Sequence, residues 1–146
     1  MGSKLGDLFY SQRMKMVEEQ IIKRGVVSPK VVQAFLDVPR HHFVPSDINK
    51  MAYEDSPLPI GLDQTISQPY IVALMTECLG IKKNQKVLEV GTGSGYQTAI
   101  LNQLSKNVYS VEIREEFLRK VQTLFTQMDI KGVQLKIGDG SLGWKE

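Results

Sequence analysis

The second half of the chain alternates short apolar segments with longer amphipathic ones, and this alternation constrains the fold more than any other feature. The pattern predicts strands over residues 86–90, 108–113 and 133–137, with helices over 96–104 and 115–128 between them. Strand, helix, strand, helix, strand is a βαβαβ unit, whose strands lie parallel with helices covering the sheet. We therefore predict an α/β fold that contains the first half of a doubly wound, Rossmann-like sheet.

Helices are predicted in the segment that precedes this unit. Apolar residues recur at helical spacing over residues 8–24, and Gly25 follows them as a natural left-handed helix end. Ser28 and Pro29 form a typical helix start, and Pro39 ends the helix that follows. The N-terminal part of the chain is therefore expected to pack as helices on the sheet unit.

An extended segment and a third helix complete this N-terminal part. Residues 56–69 contain three prolines and a glycine, which favour an extended backbone ordered by packing. A helix is predicted over residues 69–80, and the only cysteine, Cys78, lies in it and is expected to pack in the core. These features divide the chain into a helical and extended segment, residues 1–80, and a sheet unit, residues 81–146.

Composition excludes several classes of protein. The 18 Lys and Arg are balanced by 16 Asp and Glu and are spread along the chain, so no nucleic-acid partner is expected. A single cysteine excludes an internal disulfide framework and suits a reducing compartment, so a cytoplasmic location is expected. No apolar run approaches the roughly 18 residues that a membrane span needs, and residues 1–10 carry no apolar core of a secretion signal.

Three glycines lie between the first predicted strand and the helix after it. Gly91, Gly93 and Gly95 alternate with other residues in the sequence VLEVGTGSGYQTA. Glycine gives the turn its backbone freedom, and a missing side chain lets the main chain approach a ligand closely. The unpaired N–H groups of the next helix point at the same place. The loop would suit several nucleotide ligands, and a tight turn without a ligand is the alternative interpretation of the glycines alone.

Acidic residues lie at the ends of the second and third predicted strands. Glu112 comes 19 residues after Gly93, where a carboxylate can accept both hydroxyls of a ribose. Asp139 lies between two glycines at the end of the third strand. Glu112 could equally be a solvated carboxylate near a helix start. Because ligands of open α/β sheets bind at the carboxyl ends of the strands, the three strand ends together predict an adenosine-containing ligand.

The spacing of the loop distinguishes between adenosine ligands. A dinucleotide fingerprint needs glycine at position 96, which is Tyr96 here, and a phosphate-binding P-loop needs a Gly-Lys-Ser/Thr ending that is absent. Glu89, just before the loop, would repel a pyrophosphate but suits an ammonium or sulfonium group. A strand-end carboxylate facing solvent is the equally weighted alternative for Glu89. The combination resembles the Rossmann-like methyltransferases that use S-adenosylmethionine.

Segments upstream of the loop narrow the resemblance to one family. VPRHHFVP (38–45), AYEDSPLPIG (52–61) and QTISQPYIVALM (64–75) are similar to the N-terminal portion of the protein-L-isoaspartate O-methyltransferases, and the similarity runs over residues 14–144. This resemblance implies protein repair: methyl transfer from S-adenosylmethionine to the α-carboxylate of L-isoaspartyl residues in damaged proteins and peptides. S-adenosylhomocysteine is the implied product, and the methyl ester then cyclises to a succinimide whose hydrolysis restores some normal linkage.

The same resemblance assigns the site residues. It places the active-site role on Ser67, ribose binding on Glu112 and the adenine edge on Asp139 and Gly140. The remaining implied cofactor contacts are Gln64, Thr65, Ile66, Gly91, Gly93 and Gly95. Glu89 joins them as a candidate cofactor contact because its carboxylate suits a sulfonium. Without the family, Ser67 would be interpreted as a helix N-cap, because Ser-Gln-Pro precedes a helix.

Histidine and aromatic residues of the first half are assigned to packing. His41 and His42 are an adjacent pair, and with no further histidine in the sequence they predict a packed or hydrogen-bonded turn and no metal site. Phe43, Tyr53 and Tyr70 are expected to pack and not to bind substrate. No metal is therefore expected.

Two departures from the family pattern bear on the expected function. Position 63 is Asp where the family commonly has Gly, which changes the backbone demand or the charge beside the Gln-Thr-Ile-Ser block. Family members also continue beyond GDGSLGW with strands and helices that complete the sheet. Without them, the strand at 86–90 is expected to have an open edge and an uncovered apolar face, and hence a tendency to self-associate.

Alternative functions follow from these departures. The main hypothesis is the repair methyltransferase, with the activity of this chain left open. A second is a binding module that keeps part of the cofactor site without turnover, and a third is a Rossmann-like methyltransferase with another substrate. An NAD-dependent reductase is disfavoured by the position of the third glycine.

Overall fold

A computed structural model of the chain describes residues 9–145, and the first helix lies near the start of this range. α1 (Tyr10–Met16) continues through a π-helical turn (Val17–Ile21) and a 3₁₀ turn (Ile22–Arg24). Gly25 follows with a φ of 94°, so the predicted left-handed helix end is confirmed. Leu8, where the sequence predicts the helix to begin, lies outside the described residues.

The second helix starts where Ser28 and Pro29 predict it. α2 covers Pro29–Asp37, with Ser28 as its N-cap residue, but the Ser28 side chain makes no capping hydrogen bond. The backbone donors just before α2 bind a carboxylate from a later helix. Glu77 Oε1 accepts from the N–H groups of Val27 (2.9 Å) and Ser28 (2.7 Å). The start of α2 is therefore held by tertiary contacts and not by its own cap.

Two 3₁₀ turns, Arg40–Phe43 and Ser46–Met51, follow α2. His41 Nδ1 lies 2.8 Å from the Tyr53 hydroxyl, so the predicted hydrogen-bonded turn is confirmed. Phe43 and Tyr53 are buried, as expected for residues that pack. The third aromatic residue, Tyr70, is half-buried and lies under the Arg24 guanidinium, 5.2 Å from ring centroid to Cζ.

The proline-rich segment forms a hairpin. β1 (Leu58–Gly61) pairs antiparallel with β2 (Gln64–Ile66), which confirms the predicted extended backbone. Both turn residues are left-handed, with φ of 51° at Leu62 and 56° at Asp63. Glycine adopts this conformation freely, and aspartate tolerates it better than most side chains. Asp63 is therefore compatible with the left-handed conformation of this turn.

α3 (Pro69–Cys78) starts at the predicted proline. The prediction that Cys78 packs in the core is wrong, because Cys78 is exposed. Residues 72, 73 and 76 form the buried face of this helix. Cys78 comes two positions after Thr76, about 200° around the helix, and so lies on the opposite side.

The second half of the described chain forms the predicted parallel sheet. Its strands are β3 (Val87–Val90), β4 (Val108–Glu112) and β5 (Val133–Ile137), in the spatial order β3-β4-β5. α4 (Tyr96–Leu104) and α5 (Glu115–Gln127) connect them, which confirms the α/β class and the βαβαβ unit. α5 has 13 residues, and no helix in the range 9–145 combines the length and apolar character needed to cross a membrane.

The two faces of the sheet differ in covering. One face carries Val108, which packs with Leu101 of α4 in a buried apolar cluster. The other face carries Leu88 and Val90, which are 45% and 62% exposed. β3 is also an end strand of the described sheet. The expected open edge and uncovered apolar face are therefore present within residues 9–145.

One buried core joins the N-terminal helices to the sheet unit. Phe35 of α2 and Phe43 of the first 3₁₀ turn both pack edge-on to the Tyr96 ring, with centroid distances of 6.0 and 5.5 Å. The same cluster extends to Val121 and Phe125 of α5. Because Tyr96 directly follows the glycine loop, this packing fixes the loop relative to the first half of the chain.

Candidate functional site

A cleft of about 610 Å³ opens at the carboxyl end of β3. One wall is the end of β2 and the residue after it, with Thr65, Ile66 and Ser67. The lining also includes β3, the glycine loop and residues 72, 75, 78 and 79 in and directly after α3. The predicted site residues that line the cleft are Thr65, Ile66, Ser67, Glu89, Gly91 and Gly93. The fold thus brings together residues that are more than 20 positions apart in the sequence.

The three glycines of the loop serve two different purposes. Gly91 and Gly93 line the cleft with φ of 89° and 52°, and a Cβ on either would meet no atom closer than 3.7 Å. Gly95 does not line the cleft, and a Cβ there would lie 2.9 Å from Cγ1 of Val121. The first two glycines therefore leave the main chain open towards the cleft, whereas Gly95 lets α5 pack against the start of α4.

Glu112 ties the glycine loop to the end of β4 through its two carboxylate oxygens. Oε2 accepts from the Gly93 N–H at 2.8 Å, and Oε1 accepts from the Arg114 N–H at 2.9 Å. The residue is only 5% exposed and is not part of the cleft lining. A carboxylate has about four lone-pair positions, so these two bonds leave acceptor capacity for ribose hydroxyls.

Glu89 lies inside a network of hydroxyl groups. Its Oε2 accepts from the hydroxyls of Thr98 and Ser110, and the Ser110 hydroxyl lies 2.6 Å from that of Thr92. Burial raises the pKa of Glu89 to about 7, since the two donated hydrogen bonds offset only part of the desolvation and the Glu112 charge adds to it. The alternative of a solvent-facing Glu89 is therefore wrong. The two hydroxyls that bind it, and Thr92 behind Ser110, are separated in sequence and give no periodic signal.

Ser67 is exposed and lines the cleft. The N-cap residue of α3 is Gln68, and no side chain caps this helix, so the interpretation of Ser67 as a cap is wrong. The carbonyl oxygen of Ser67 accepts from Nη2 of Arg40 at 2.8 Å. The Gln64 side chain folds back on the hairpin turn, where Nε2 donates to the Asp63 carbonyl at 3.0 Å, and it does not line the cleft.

Asp139 and Gly140 follow β5, outside the cleft lining. Asp139 Oδ1 accepts from the Ser141 N–H at 2.9 Å, and hydrogen bonds from Ser141 lower the pKa of this carboxyl. Gly140 packs so closely on β3 that an added Cβ would lie 2.2 Å from Cγ1 of Val90. These two residues therefore lie beside the exposed end of β3, next to the cleft.

The chemistry of the cleft fits S-adenosylmethionine. Its walls expose more apolar than polar surface, and Glu89 contributes a buried carboxylate that favours a cation. Gly91 and Gly93 present main chain without side chains. Within residues 9–145, no group of three His, Cys, Asp or Glu side chains is placed to hold a metal ion. This arrangement therefore favours binding of a cationic adenosine compound.

Replacing Glu112 with Ala is expected to weaken binding of S-adenosylhomocysteine by about 1.5–3 kcal/mol, because charge-assisted hydrogen bonds are lost. The same change removes the acceptors of Gly93 and Arg114 N–H. Titration calorimetry measures the affinity. Glu115→Ala is the matched control, since Glu115 is 65% exposed and its ion pair within residues 9–145 is with Arg119, one helical turn along α5. An affinity loss in the control equal to that in Glu112→Ala would remove Glu112 from the binding site.

Comparisons with known proteins agree with the resemblance found in the sequence. Residues 11–146 match the sequence model of the protein-L-isoaspartate(D-aspartate) O-methyltransferase family. A protein-L-isoaspartate O-methyltransferase from Syntrophus aciditrophicus (strain SB) is 49% identical over 140 residues, which are 96% of this chain and 64% of that protein. The chain spans less than two thirds of the length of the curated relatives it matches.

Solved structures give the same result at the level of the fold. A protein-L-isoaspartate O-methyltransferase superimposes with a TM-score of 0.77 at 31% identity, covering 88% of this chain and 42% of that chain. A β-aspartate methyltransferase from Plasmodium falciparum, in complex with S-adenosyl-L-homocysteine, gives 0.68 at 23% identity, covering 86% and 62%. The second similarity concerns the fold alone.

Proposed function

Because this chain belongs to the protein-L-isoaspartate(D-aspartate) O-methyltransferase family, we propose that it acts in protein repair, transferring a methyl group from S-adenosylmethionine to the α-carboxylate of L-isoaspartyl residues. Damaged proteins and peptides are the proposed substrates, and S-adenosylhomocysteine is the product. The observation that carries the proposal is the cleft in which the Thr65–Ser67 segment faces the glycine loop. The family match and the buried Glu89 beside Gly91 and Gly93 in the same cleft support the choice of cofactor.

The reaction demands orientation more than acid–base catalysis. A substrate carboxylate with an ordinary pKa of about 4 is ionised at neutral pH, so no general base is needed to activate it. When bound, S-adenosylmethionine supplies a methyl group on a sulfonium: a carboxylate oxygen forms the new C–O bond as the S–C bond breaks. Proximity and alignment of the two reactants then account for most of the rate.

Ser67 is proposed to orient the substrate carboxylate. Its exposed position in the cleft lining is accessible to a peptide, and its hydroxyl is able to donate a hydrogen bond to a carboxylate. On the cofactor side, Glu89 would face the cationic end, Gly91 and Gly93 would let the main chain approach, and Glu112 would accept from the ribose. Other cofactor contacts from the family resemblance are Gln64, Thr65, Ile66, Gly95, Asp139 and Gly140, and they stay predictions.

The substrate assignment is tested with a matched pair of peptides. An isoaspartyl peptide should be methylated and its normal aspartyl twin should not; equal labelling of the two would exclude the repair function. Ser67→Ala should lower turnover by about ten- to hundredfold, the loss expected for a hydrogen bond to a charged group, with little change in affinity for S-adenosylhomocysteine. Loss of affinity with unchanged turnover would return Ser67 to a structural role.

A binding module without turnover is the second candidate. The chain matches 64% of the Syntrophus aciditrophicus relative, and the apolar face of β3 is exposed in the described structure. Binding of S-adenosylhomocysteine without methylation of any isoaspartyl peptide would favour this candidate. Tighter binding of NADH than of S-adenosylhomocysteine would exclude both candidate functions. A cytoplasmic location, self-association through the β3 edge and the absence of a nucleic-acid partner stay predictions, as does the division at residue 80.

A further inference from the structure

Arg40 lies at the junction of three parts of the fold. Its side chain is 0% exposed, and Nε donates to the Ala52 carbonyl at 2.7 Å while Nη2 donates to the Ser67 carbonyl at 2.8 Å. Its Cζ also lies 4.9 Å from the centroid of the Tyr96 ring. Tyr96 is the first residue of α4 and directly follows the glycine loop. One guanidinium therefore contacts the 3₁₀ region, the Ser67 segment and the start of α4.

The charge of Arg40 is kept at a cost. No carboxylate within residues 9–145 forms an ion pair with it, and Nη1 is buried without a hydrogen-bond partner among them. Burial lowers the pKa of the Arg40 guanidinium for this reason. Carbonyl dipoles and an aromatic face compensate part of the desolvation. An apolar side chain would fill the same space without this penalty, so packing alone does not explain an arginine here.

The planar fork of arginine explains its presence. Its donors diverge in one plane, so it binds two carbonyl groups while its face stacks on a ring. A lysine at this position would offer a point charge and could not keep these contacts together. The distance from Ser67 to the glycine loop is thereby fixed by a rigid group and not by apolar packing alone.

We infer that Arg40 is a positioning residue that holds the Ser67 segment in register with the glycine loop. This inference deepens the proposed function and rests on it for its catalytic consequence. Methyl transfer depends on alignment, so a displaced Ser67 would slow the reaction without removing a group that binds the cofactor. Arg40 itself does not line the cleft and acts only through Ser67 and Tyr96.

An exposed arginine that is linked to the same segment through Asp55 provides a matched control. Arg24 pairs with Asp55, whose Oδ1 also accepts from Gln68 Nε2 at 2.7 Å, next to Ser67. Arg24 is 38% exposed and its partner 36%. An exposed ion pair contributes little to stability, so Arg24→Lys should barely change the protection of residues 64–70.

Hydrogen exchange of the full chain tests the inference without relying on activity. Arg40→Lys should speed amide exchange in residues 64–70 by about tenfold and leave residues 108–112 unchanged, whereas Arg24→Lys should change residues 64–70 less than about threefold. In the methylation assay, Arg40→Lys should lower kcat by about tenfold with the affinity for S-adenosylhomocysteine within about threefold. Arg40→Met, which removes the buried charge, is the second variant and should give the same local exchange pattern.

Two results would overturn the role of Arg40. Unchanged exchange at residues 64–70 in both variants would show that the segment does not depend on it. A uniform increase across all segments, including residues 108–112, would show a general stabilising role only. If wild-type protein methylates no isoaspartyl peptide, the proposed function fails, while the exchange pattern still decides whether Arg40 holds the segment.

Discussion

Gly95→Ala is expected to lower the free energy of unfolding by about 3 kcal/mol, which combines overpacking and backbone strain. Gly95 has a φ of 83°, and an added Cβ would lie 2.9 and 3.0 Å from the two Cγ atoms of Val121 and 3.2 Å from Phe125. Both neighbours are buried in α5 and cannot move into solvent. Either the helix shifts or the loop does, and both changes disturb the packing around Tyr96.

The control for this prediction is Gly25→Ala. Gly25 has a φ of 94° and no atom within 4 Å of an added Cβ, so only the backbone strain remains, about 1 kcal/mol. Urea unfolding of the two variants measures the difference. Val121→Ala in the Gly95→Ala background should recover part of the loss, because it removes the closest contact. Equal losses for Gly25→Ala and Gly95→Ala would show that contact with α5 contributes nothing.

Glu89 should make the stability of the ligand-free protein fall as pH rises. Burial raises the pKa of its carboxyl from an ordinary 4.5 to about 7 in the folded state. Between these values the folded state keeps a proton that the unfolded state has released, so its contribution is complete below pH 4.5 and is lost as pH rises through 7. The free energy of unfolding is expected to fall by about 3 kcal/mol through this titration.

Glu89→Gln isolates this effect, because glutamine is neutral and nearly the same shape. The difference in unfolding free energy between variant and wild type should grow in favour of the variant by about 3 kcal/mol from pH 4.5 to 7.5. Chemical denaturation at several pH values measures it. Parallel stability profiles would show that Glu89 does not keep its proton in the folded protein. In the wild type, affinity for a cationic ligand should rise over the same range, because binding favours the ionised carboxylate.

Much of the fold was predictable because its signals are local. The strands at 87–90, 108–112 and 133–137 differ by at most one residue at either end from those predicted by the apolar pattern, and Gly25 and Pro69 mark helix ends through their backbone preferences. Cys78 was misplaced because an apolar residue in an apolar helix gives no sign of which side is buried. The β1–β2 hairpin and the 3₁₀ turns also depend on tertiary packing.

The site was only partly predictable for the same reason. Loop glycines and Glu112 are recognisable because strand order brings the strand ends together. The orientation of Glu89 depends on hydroxyls from β4 and α4, and the contact between Arg40 and Ser67 joins residues 27 positions apart. Such contacts follow from the packed structure and not from spacing along the chain.

The contact between Arg40 and residue 67 has an evolutionary consequence. The guanidinium binds the main-chain carbonyl of residue 67, and every amino acid carries that group. The hydrogen bond from Arg40 therefore does not depend on the identity of the side chain at position 67. A substitution at position 67 is therefore expected to change the side chain offered to the substrate while the hydrogen bond from Arg40 stays intact, so evolution can vary the chemistry of the cleft without removing this anchor.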